Sequence, residues 1–283
     1  MAAESKGLTK TELAKRLGVS RSSLYYEHKR PKIDNEVKRQ IEAVLTGNPA
    51  YGHKRIALEL KLNKKRILRV MKKFGIKPYR RRKKPRKKGD ENKPEAKFKN
   101  LAKKFCPIVP GLVWVSDFTY IRFKERFIYL ATLMDLFTRE VVGWNVARFH
   151  NQELVLGALE HALSNPEHGI PVYLHSDQGS EYDSQAYVSI AEGLKIKISM
   201  SRKSSPWENP HQESFYSQFK VDLGDLNRFE TLGELIESIY QTIYYYNNKR
   251  IHTTLKMSPV NFRKEFEKTY GKNSEYVSKK MGT

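Results

Sequence analysis

The spacing of apolar residues divides the chain into a helical N-terminal part and a C-terminal part that mixes strands with helices. Residues 8–30 have apolar positions at helical spacing, interrupted at Gly18, and two further helical faces follow before Gly75. Residues 77–104 contain almost no side chains that can form a core. From Val113 onwards the apolar runs are short and rich in β-forming residues, which is typical of strands. The pattern predicts helical modules, a linker and an α/β domain, in that order.

The first helical segment has the features of a helix-turn-helix unit. Gly18 provides the tight turn, Ser20 can cap the helix that follows, and Ala14 is small enough for two helices to cross closely. The second helix would present basic and hydroxylated side chains to a DNA groove or to phosphates. The expected DNA contacts are Arg21, Ser22, Ser23, Tyr25 and Tyr26. A plain helical hairpin that does not bind DNA is the alternative.

The second helical segment predicts a module of three helices. One apolar face with 3.6-residue spacing includes Ile41, another includes Val70, and Gly75 ends the last helix. A further helix is expected around residues 53–61, after a break in the chain. The basic side chains expected on the solvated face are Lys54, Arg55, Lys64, Lys65, Arg66 and Arg69, and the first two are expected to contact DNA.

The C-terminal part predicts the order βββαβαβ followed by two helices. The first three strands form a meander, and Asn151 begins the next helix. The predicted strands are residues 113–123, 126–137, 139–149, 171–177 and 195–201, and helices are predicted from residue 151, over 183–193, over 210–223 and from residue 232. A polar loop before the third of these helices contains Arg202 and Lys203, which are also expected to contact DNA. This order indicates a mixed sheet between layers of helices.

Basic residues are concentrated in the N-terminal part. The whole chain has 53 Lys and Arg against 31 Asp and Glu, a formal net charge of +22. Residues 1–110 contain 33 of these basic residues and 10 of the acidic ones, whereas residues 111–283 contain 20 and 21. A positive field of this size attracts polyanions, and nucleic acid is the commonest such partner. The alternatives on charge alone are a solubility effect or an RNA-binding, ribosome-associated chain.

The single cysteine, Cys106, excludes an intramolecular disulfide and a cysteine-rich zinc site, and it favours a reducing compartment. No run of apolar residues approaches the length of a membrane span, and the N-terminus has no signal-like apolar segment. We therefore expect a cytoplasmic protein without a membrane segment.

Three acidic residues occupy positions at which a metal site is expected. Asp177 follows an apolar run within HSDQGSEY, where a turn is the ordinary interpretation. Asp117 lies inside an apolar strand, where an unpaired carboxylate needs a cation, a donor or an exposed edge. Glu213 lies one turn into a helix. If the first and fourth strands are neighbours, the acids converge, and oxygen ligands suit Mg²⁺ or Mn²⁺, two of which can support phosphoryl transfer.

Four sequence blocks resemble the motifs of bacterial insertion-sequence transposases of the DDE and retroviral-integrase superfamily. The blocks are WVSDFTY (114–120), HSDQGSEY (175–182), SRKSSPWENPHQESFYSQFK (201–220) and YYYNNKRIHTTLKMSPVNF (244–262). The chain is most similar to the OrfB-type catalytic protein of two-reading-frame elements, and residues 48–71 resemble the helical module that precedes its core. Asp177 and Glu213 have 35 residues between them, the spacing of the superfamily's second and third acids.

The resemblance implies an RNase H-like core in which Asp117, Asp177 and Glu213 are the metal ligands. It implies cleavage and strand transfer of double-stranded DNA by an oligomer, at least a dimer, that holds paired element ends. A partner encoded by an upstream reading frame is left open. Lys220, two helical turns after Glu213, corresponds to a basic residue that contacts the DNA end.

Two departures from the family pattern are visible. Relatives commonly have an aspartate where this chain has Glu208, which leaves the role of Glu208 open. The zinc module of retroviral integrases needs two histidines and two cysteines, and it cannot form with Cys106 alone. End recognition is therefore expected from the helical modules.

Other polar residues near the blocks have competing interpretations. Asp135 is expected to cap a turn or make a structural hydrogen bond, and His175 is expected to support the site without acting as a base. Asn209 is expected to contact DNA or cap its helix, His252 to contact DNA, and Asp222 to be exposed.

The alternatives to a transposase are a DNA-binding regulator that keeps the fold without cutting and a structure-selective nuclease without a joining step. The expected divisions of the chain are a helix-turn-helix module (1–31), a three-helix module (32–78), a basic linker (79–110), the catalytic core (111–265) and a tail (266–283).

Overall fold

The structure is a computed structural model, which describes residues 9–25, 29–80, 98–101, 107–201 and 209–271. The helices in these ranges are α1 (Lys10–Arg16), α2 (Lys29–Gly47), α3 (His53–Glu59), α4 (Lys64–Lys73), α5 (Gln152–Ser164), α6 (Gln185–Gly193), α7 (Pro210–Asp222), α8 (Leu232–Asn248) and α9 (Pro259–Tyr270). The strands are β1 (Val113–Phe123), β2 (Arg126–Asp135), β3 (Val141–Ala147), β4 (Tyr173–Ser176) and β5 (Lys197–Met200).

The five strands form one mixed sheet in the order β3-β2-β1-β4-β5. The β1–β2 and β2–β3 pairs are antiparallel, as the predicted meander requires, and β4 and β5 are parallel to β1. Of β1, only residues 113–115 pair with β4. Among the described strands, the remaining residues of β1 therefore pair with β2 alone. The first and fourth strands are neighbours, which meets the condition for Asp117 and Asp177 to converge.

Helices cover both faces of the sheet and enclose two apolar cores. On one face α7 and α8 contribute Phe215, Phe219 and Ile239 to a cluster with alternate residues of β1 and β2. On the other face α5 and α6 close a second cluster around Trp114. Helix α5 approaches β3 closely at Gly143, where an added Cβ would lie 2.3 Å from the Ala158 carbonyl oxygen. The RNase H-like α/β architecture expected of the core is confirmed.

Helices α2 to α4 form the three-helix module that the sequence predicts, here called the helical module. Its core includes Ile41, Ile56 and Val70, which are fully buried. Arg69 lies on the solvated face as expected, and its guanidinium also binds the buried carboxylate of Asp34 at 2.5 and 2.8 Å. This pairing, with Lys73 as a second partner, holds the pKa of Asp34 well below its usual range.

The N-terminal unit departs from the predicted helix-turn-helix. Helix α1 has a capping box between Thr9 and Glu12, and Gly18 has the positive φ of a tight turn. The second α-helix predicted in this unit is wrong, because Arg21–Tyr25 form a 3₁₀ turn. The Ser20 hydroxyl accepts from the Ser23 amide at 3.3 Å, as the predicted capping residue would, and it also bonds the hydroxyls of Ser22 and Ser23 at 2.8 Å.

Three of the expected divisions fall inside packed structure. Helix α2 spans the boundary at residue 31, and α9, which the sequence analysis did not identify, spans the one at residue 265. Its start carries the Ser258-Pro259 signal of a helix N-terminus. Part of the predicted linker also lies on the core, since Phe98 packs against the second cluster and Val109 belongs to the first.

The helical module is docked on the segment that follows α8. The Ile251 amide donates to the Tyr51 hydroxyl at 2.8 Å, and Arg55 Nε donates to the Ile251 carbonyl at 2.9 Å. The Tyr245 hydroxyl donates to Asn48 Oδ1, and Ile251 packs against the module's apolar core. Residues about 200 positions apart in the sequence are therefore joined by both polar and apolar contacts.

Candidate active site

The sheet order brings two of the predicted acids to one end of parallel strands. Val115 and His175 are partners in the β1–β4 register, and Asp117 and Asp177 each lie two residues beyond that pair. Glu213 lies in the first turn of α7, which packs over β1. All three carboxylates are only partly covered by protein. The arrangement leaves them accessible to a ligand at the uncovered edge of β1.

The electrostatics of Asp117 show that the acids lie within range of one another. The pKa of Asp117 is raised to about 7. Burial is the largest cause, and the charges of Asp177 and Glu213 contribute to the same increase. The Phe118 amide, which donates to Asp117 Oδ1 at 2.8 Å, and the Lys220 ammonium act in the opposite direction. The protein alone therefore does not fully compensate three negative charges at this position.

Asp177 ends β4 in a turn that also holds a fourth acid. Burial raises the pKa of Asp177, the Gly179 amide donating at 3.2 Å lowers it, and the charge of Glu181 raises it again. Glu181 is buried and contacts His150 Nδ1 at 2.9 Å. An added Cβ at Gly179 would lie 2.6 Å from the Glu181 carboxylate. Sequence analysis missed Glu181, although its position four residues after Asp177 in the same block was a usable signal.

The first two turns of α7 are fixed to the sheet by side chains that flank Glu213. The Gln212 amide donates to the carbonyls of Val115 at 2.7 Å and Thr132 at 3.1 Å. One turn later, the Tyr216 hydroxyl donates to the Asp117 carbonyl. Tyr216 was not identified from the sequence, although it shares a helical face with Gln212. These bonds hold the helix that carries Glu213 against the strand that carries Asp117.

The other end of α7 is fixed by an ion pair. Asp222 Oδ2 accepts from Arg250 Nε at 2.6 Å, and Arg250 Nη2 donates to Gln218 Oε1 at 2.6 Å. The expectation that Asp222 is exposed is wrong, since only 10% of its side chain is exposed and Arg250 is buried. Arg250 precedes Ile251, to which the helical module binds, so the module and α7 share one anchoring segment.

Two residues with competing interpretations have structural roles. Asp135 accepts hydrogen bonds from the amides of Gly111, Phe137 and Thr138, which confirms the predicted turn cap. His175 is buried beneath the site, with Nδ1 2.9 Å from Ser199 Oγ. This position supports the strand end and leaves no open path for a histidine base.

The donor chemistry at Asp117, Asp177 and Glu213 fits a hard divalent cation. The three side chains offer oxygen ligands, and Asp117 is held close to other negative charges that a cation would neutralise. Across the described ranges, no three acidic, histidine or cysteine side chains are already gathered around one metal position. Asp117, Asp177 and Glu213 therefore fit a divalent cation by charge and by ligand type. Their carboxylates must move closer together to share one ion.

Comparison with known proteins gives matches along most of the chain. Two family models, both described as integrase core domain, match residues 109–206 and 194–259. The transposase for insertion sequence element IS904 of Lactococcus lactis is 39% identical over 56% of this chain and 64% of its own length. An uncharacterized transposase-like protein of Haemophilus influenzae is 34% identical over 72% of this chain and 94% of its own length. The chain belongs to the insertion-sequence transposases. It is accordingly a DDE-type polynucleotidyl transferase of DNA transposition.

Further matches support the same family and fold. An uncharacterized protein of insertion element IS600 from Shigella sonnei is 32% identical over 88% of this transposase and 96% of its own length. A chain of the simian T-cell lymphotropic virus intasome, solved in complex with the PP2A regulatory subunit B56 gamma, matches 78% of the transposase with a TM-score of 0.50. The transposase covers 73% of that intasome chain at 15% sequence identity, so the similarity concerns the fold alone.

Several side chains expected to contact DNA are open to solvent. Lys54 is exposed on the helical module, and Arg21, Ser22 and Tyr25 are exposed on the 3₁₀ turn. Lys220 lies on α7 with its ammonium 4.8 Å from the centre of the Tyr120 ring. These roles stay predictions. Five residues named in the sequence analysis lie outside the described ranges: Tyr26, Cys106, Arg202, Lys203 and Glu208.

Three other expected DNA contacts are occupied within the transposase itself. Arg55 is half-buried against Tyr51 and Ile251, and burial together with the charge of Arg250 lowers its pKa. Asn209 is buried at the N-cap position of α7, where its amide donates to the Ser116 carbonyl at 3.4 Å and its side chain makes no capping hydrogen bond. Burial lowers the pKa of His252 to about 4, helped by nearby arginines. His252 is therefore neutral near pH 7 and unsuited to bind a phosphate by charge.

The structure bears on the expectation that the chain has no membrane segment. No helix in the described parts of the transposase combines the length and apolar character that a membrane span requires.

Proposed function

We propose that this transposase cuts DNA at the ends of its element and joins those ends to target DNA, with Asp117, Asp177 and Glu213 as the metal-holding triad. The observation that carries the proposal is the convergence of the three acids, because Asp117 and Asp177 each lie two residues beyond a paired position of neighbouring parallel strands and Glu213 lies on the helix packed over β1. Acids that merely stabilise a fold have donors of their own, as Asp135 has.

The reaction has two steps at phosphorus. In cleavage a water oxygen bonds to the phosphorus atom, and the bond to the 3′ oxygen breaks. In joining, the freed 3′-hydroxyl attacks a target phosphodiester and displaces another 3′ oxygen, so no covalent bond to the protein forms. Divalent cations, Mg²⁺ or Mn²⁺ and by proposal two of them, supply charge that activates the attacking oxygen and stabilises the leaving one.

The chain's own residues position the substrate for these steps. The amide of Gln212 and the hydroxyl of Tyr216 hold the helix that carries Glu213 against β1 before DNA binds. Lys220 offers a positive charge to the DNA phosphates from the same helix. The exposed lysines of the helical module hold the neighbouring duplex through phosphate contacts.

The proposed partners are the two double-stranded ends of the element and a target duplex. Two ends require at least two active sites, so the active form is an oligomer, at least a dimer. A protein from an upstream reading frame is a further proposed partner, which would add DNA-binding surface.

Replacement of Asp177 by Asn tests the proposal. We expect Asp177→Asn to abolish joining of labelled element ends in Mg²⁺ while their binding in a gel-shift assay changes less than about threefold, since the amide removes only a metal ligand. Glu192→Gln, an exposed acid on α6, is the matched control and should keep full activity. A fully active Asp177→Asn protein would refute the triad.

The products separate the alternatives. Cut ends without any joined product indicate a structure-selective nuclease. Tight end binding without cutting in either Mg²⁺ or Mn²⁺ indicates a regulator that keeps only the fold.

A further inference from the structure

A row of aromatic side chains extends away from the acids along one face of β1 and β2. Phe118 and Tyr120 alternate along β1, and Phe127 and Tyr129 alternate along β2, with Tyr120 and Tyr129 directly paired. His150 stacks on Phe118 at 5.9 Å and lies 4.9 Å from Tyr129. We call these five residues the aromatic ladder.

The outer part of the aromatic ladder is open to solvent. Tyr120 is 57% exposed and Phe127 is 51% exposed, and their rings meet edge to face at 5.4 Å. The inner rings of Phe118 and Tyr129 pack against the second apolar cluster. A soluble domain rarely leaves adjoining large aromatic rings uncovered unless they bind something.

The position and charge of the ladder indicate what it binds. Tyr120 lies three residues after Asp117 on β1, so its side chain is on the opposite face of the sheet, and the Lys220 ammonium of α7 lies 4.8 Å from its ring centre at the edge of β1 with which no described strand pairs. The exposed rim of the β1–β2 hairpin adds Arg122, Lys124 and Arg126 against the single acid Glu125. A second copy of this chain would bring an equally basic rim, and like charges disfavour that contact. A polyanion with flat apolar faces complements the surface.

We propose that the aromatic ladder binds unpaired bases of the DNA strand that reacts at Asp117, Asp177 and Glu213. This inference rests on the proposed function and specifies its substrate as an end whose terminal base pairs are opened. Bases inside a duplex are stacked on their neighbours, whereas unpaired bases have free faces for Tyr120 and Phe127. The basic rim and Lys220 hold the backbone of the same strand.

The first test compares two labelled hairpin duplexes of the same sequence, one fully paired and one with about four unpaired thymidines at its open end. The wild-type protein should bind the unpaired end more tightly. Tyr120→Ala should lose this preference, with about 5- to 100-fold weaker binding of the unpaired end and unchanged binding of the paired one. Tyr120→Phe keeps the ring and should retain it. Tyr270→Ala, a comparably exposed tyrosine on α9, is the control.

Salt dependence and cross-linking separate stacking from other effects. Stacking releases no counterions, so Tyr120→Ala should weaken binding by the same factor at every salt concentration. Photo-cross-linking of iodouracil in the unpaired segment should label residues 118–129, as identified by mass spectrometry. Thermal unfolding of each variant checks that the sheet is intact.

The outcomes distinguish this inference from the function on which it rests. Equal affinity of Tyr120→Ala and wild type for unpaired ends, or cross-links confined to other segments, overturns the ladder even if strand transfer is normal. A change of oligomeric state in Tyr120→Ala without a change in DNA affinity overturns it in favour of a protein contact. Base cross-links to the ladder in a protein that joins no DNA leave the ladder standing and refute the proposed function.

Discussion

Asp117 and Asp135 lie on neighbouring strands among apolar residues, but their carboxylates have different surroundings. Asp135 accepts four hydrogen bonds from Gly111, Phe137 and Thr138, which lower its pKa against the larger effect of burial, and no other acid contributes to the increase. Asp117 accepts one from the Phe118 amide and faces two other acids. At the residue scale, a buried acid with donors is structural, whereas a buried acid with like-charged neighbours marks a cation site.

The different surroundings of Asp117 and Asp135 predict that replacing each by Asn changes the free energy of unfolding in opposite directions. The folded-state pKa of Asp117, about 7, lies above its usual value of 3.8, so the folded protein binds more protons between these values and loses stability as pH rises from 3.8 to about 7. Asp117→Asn should remove this loss and raise the free energy of unfolding at pH 7.5 by about 1–3 kcal/mol without metal. Urea unfolding at pH 5 and 7.5 with a chelator measures it.

Asp135→Asn is the matched comparison. An amide cannot accept all the hydrogen bonds of the carboxylate, so we expect a net loss of about 1–3 kcal/mol at pH 7.5, even though burial also raises the pKa of Asp135. A destabilised Asp117→Asn protein would contradict the charge repulsion at the site.

At the element scale, the packing of α5 on β3 depends on the absence of a side chain at Gly143. Gly143→Ala would bring Cβ within 2.3 Å of the Ala158 carbonyl oxygen and 2.6 Å of Ala162 Cβ. Backbone cannot yield as a side chain does, so we expect a loss of about 2–3 kcal/mol, measured by chemical denaturation. Gly193→Ala in α6 meets no atom within 4 Å and should be neutral or slightly stabilising. Equal stability of the two variants would disprove the close approach.

Elements with strong local patterns were predicted well. The strand meander, the Asn151 cap of α5 and the β4–α6–β5 order follow from periodicity and turn residues, which act over a few positions. Ser20 caps the stretch that follows it, but the local pattern did not distinguish a 3₁₀ turn from an α-helix there, and α9 was missed although Ser258-Pro259 marked its start. Arg55 and Asp222 were placed in solvent because their partners, Ile251 and Arg250, are distant in sequence.

The candidate site was predictable to a similar extent. The acids could be selected from motif blocks, and the β1–β4 neighbourhood that brings Asp117 and Asp177 together followed from strand order. The bonds of Gln212 and Tyr216 to the sheet depend on how α7 crosses β1, which no local pattern specifies. Burial of Asn209 and His252 depends on the same packing.

At the scale of the whole molecule, the adjacent basic residues Lys54 and Arg55 of the helical module have different surroundings. Arg55 binds the Ile251 carbonyl, and Lys54 points to solvent. We expect Arg55→Met to leave that carbonyl unpaired and to increase hydrogen exchange of residues 48–60 and 245–252. Lys54→Met should leave exchange unchanged but reduce the salt slope of DNA binding by about 1. Hydrogen exchange and titrations at several salt concentrations measure these effects, and the reverse assignment of effects would contradict the docking.

The docking of the helical module also sets an order for biosynthesis. The ribosome releases Tyr51 and Arg55 about 200 residues before Tyr245 and Ile251, so the basic module folds while its docking segment is still being made. Arg250, which anchors α7 through Asp222, belongs to the same segment and is synthesised with Tyr245 and Ile251. We therefore expect a nascent chain to contain its basic module before it contains the segment that fixes α7.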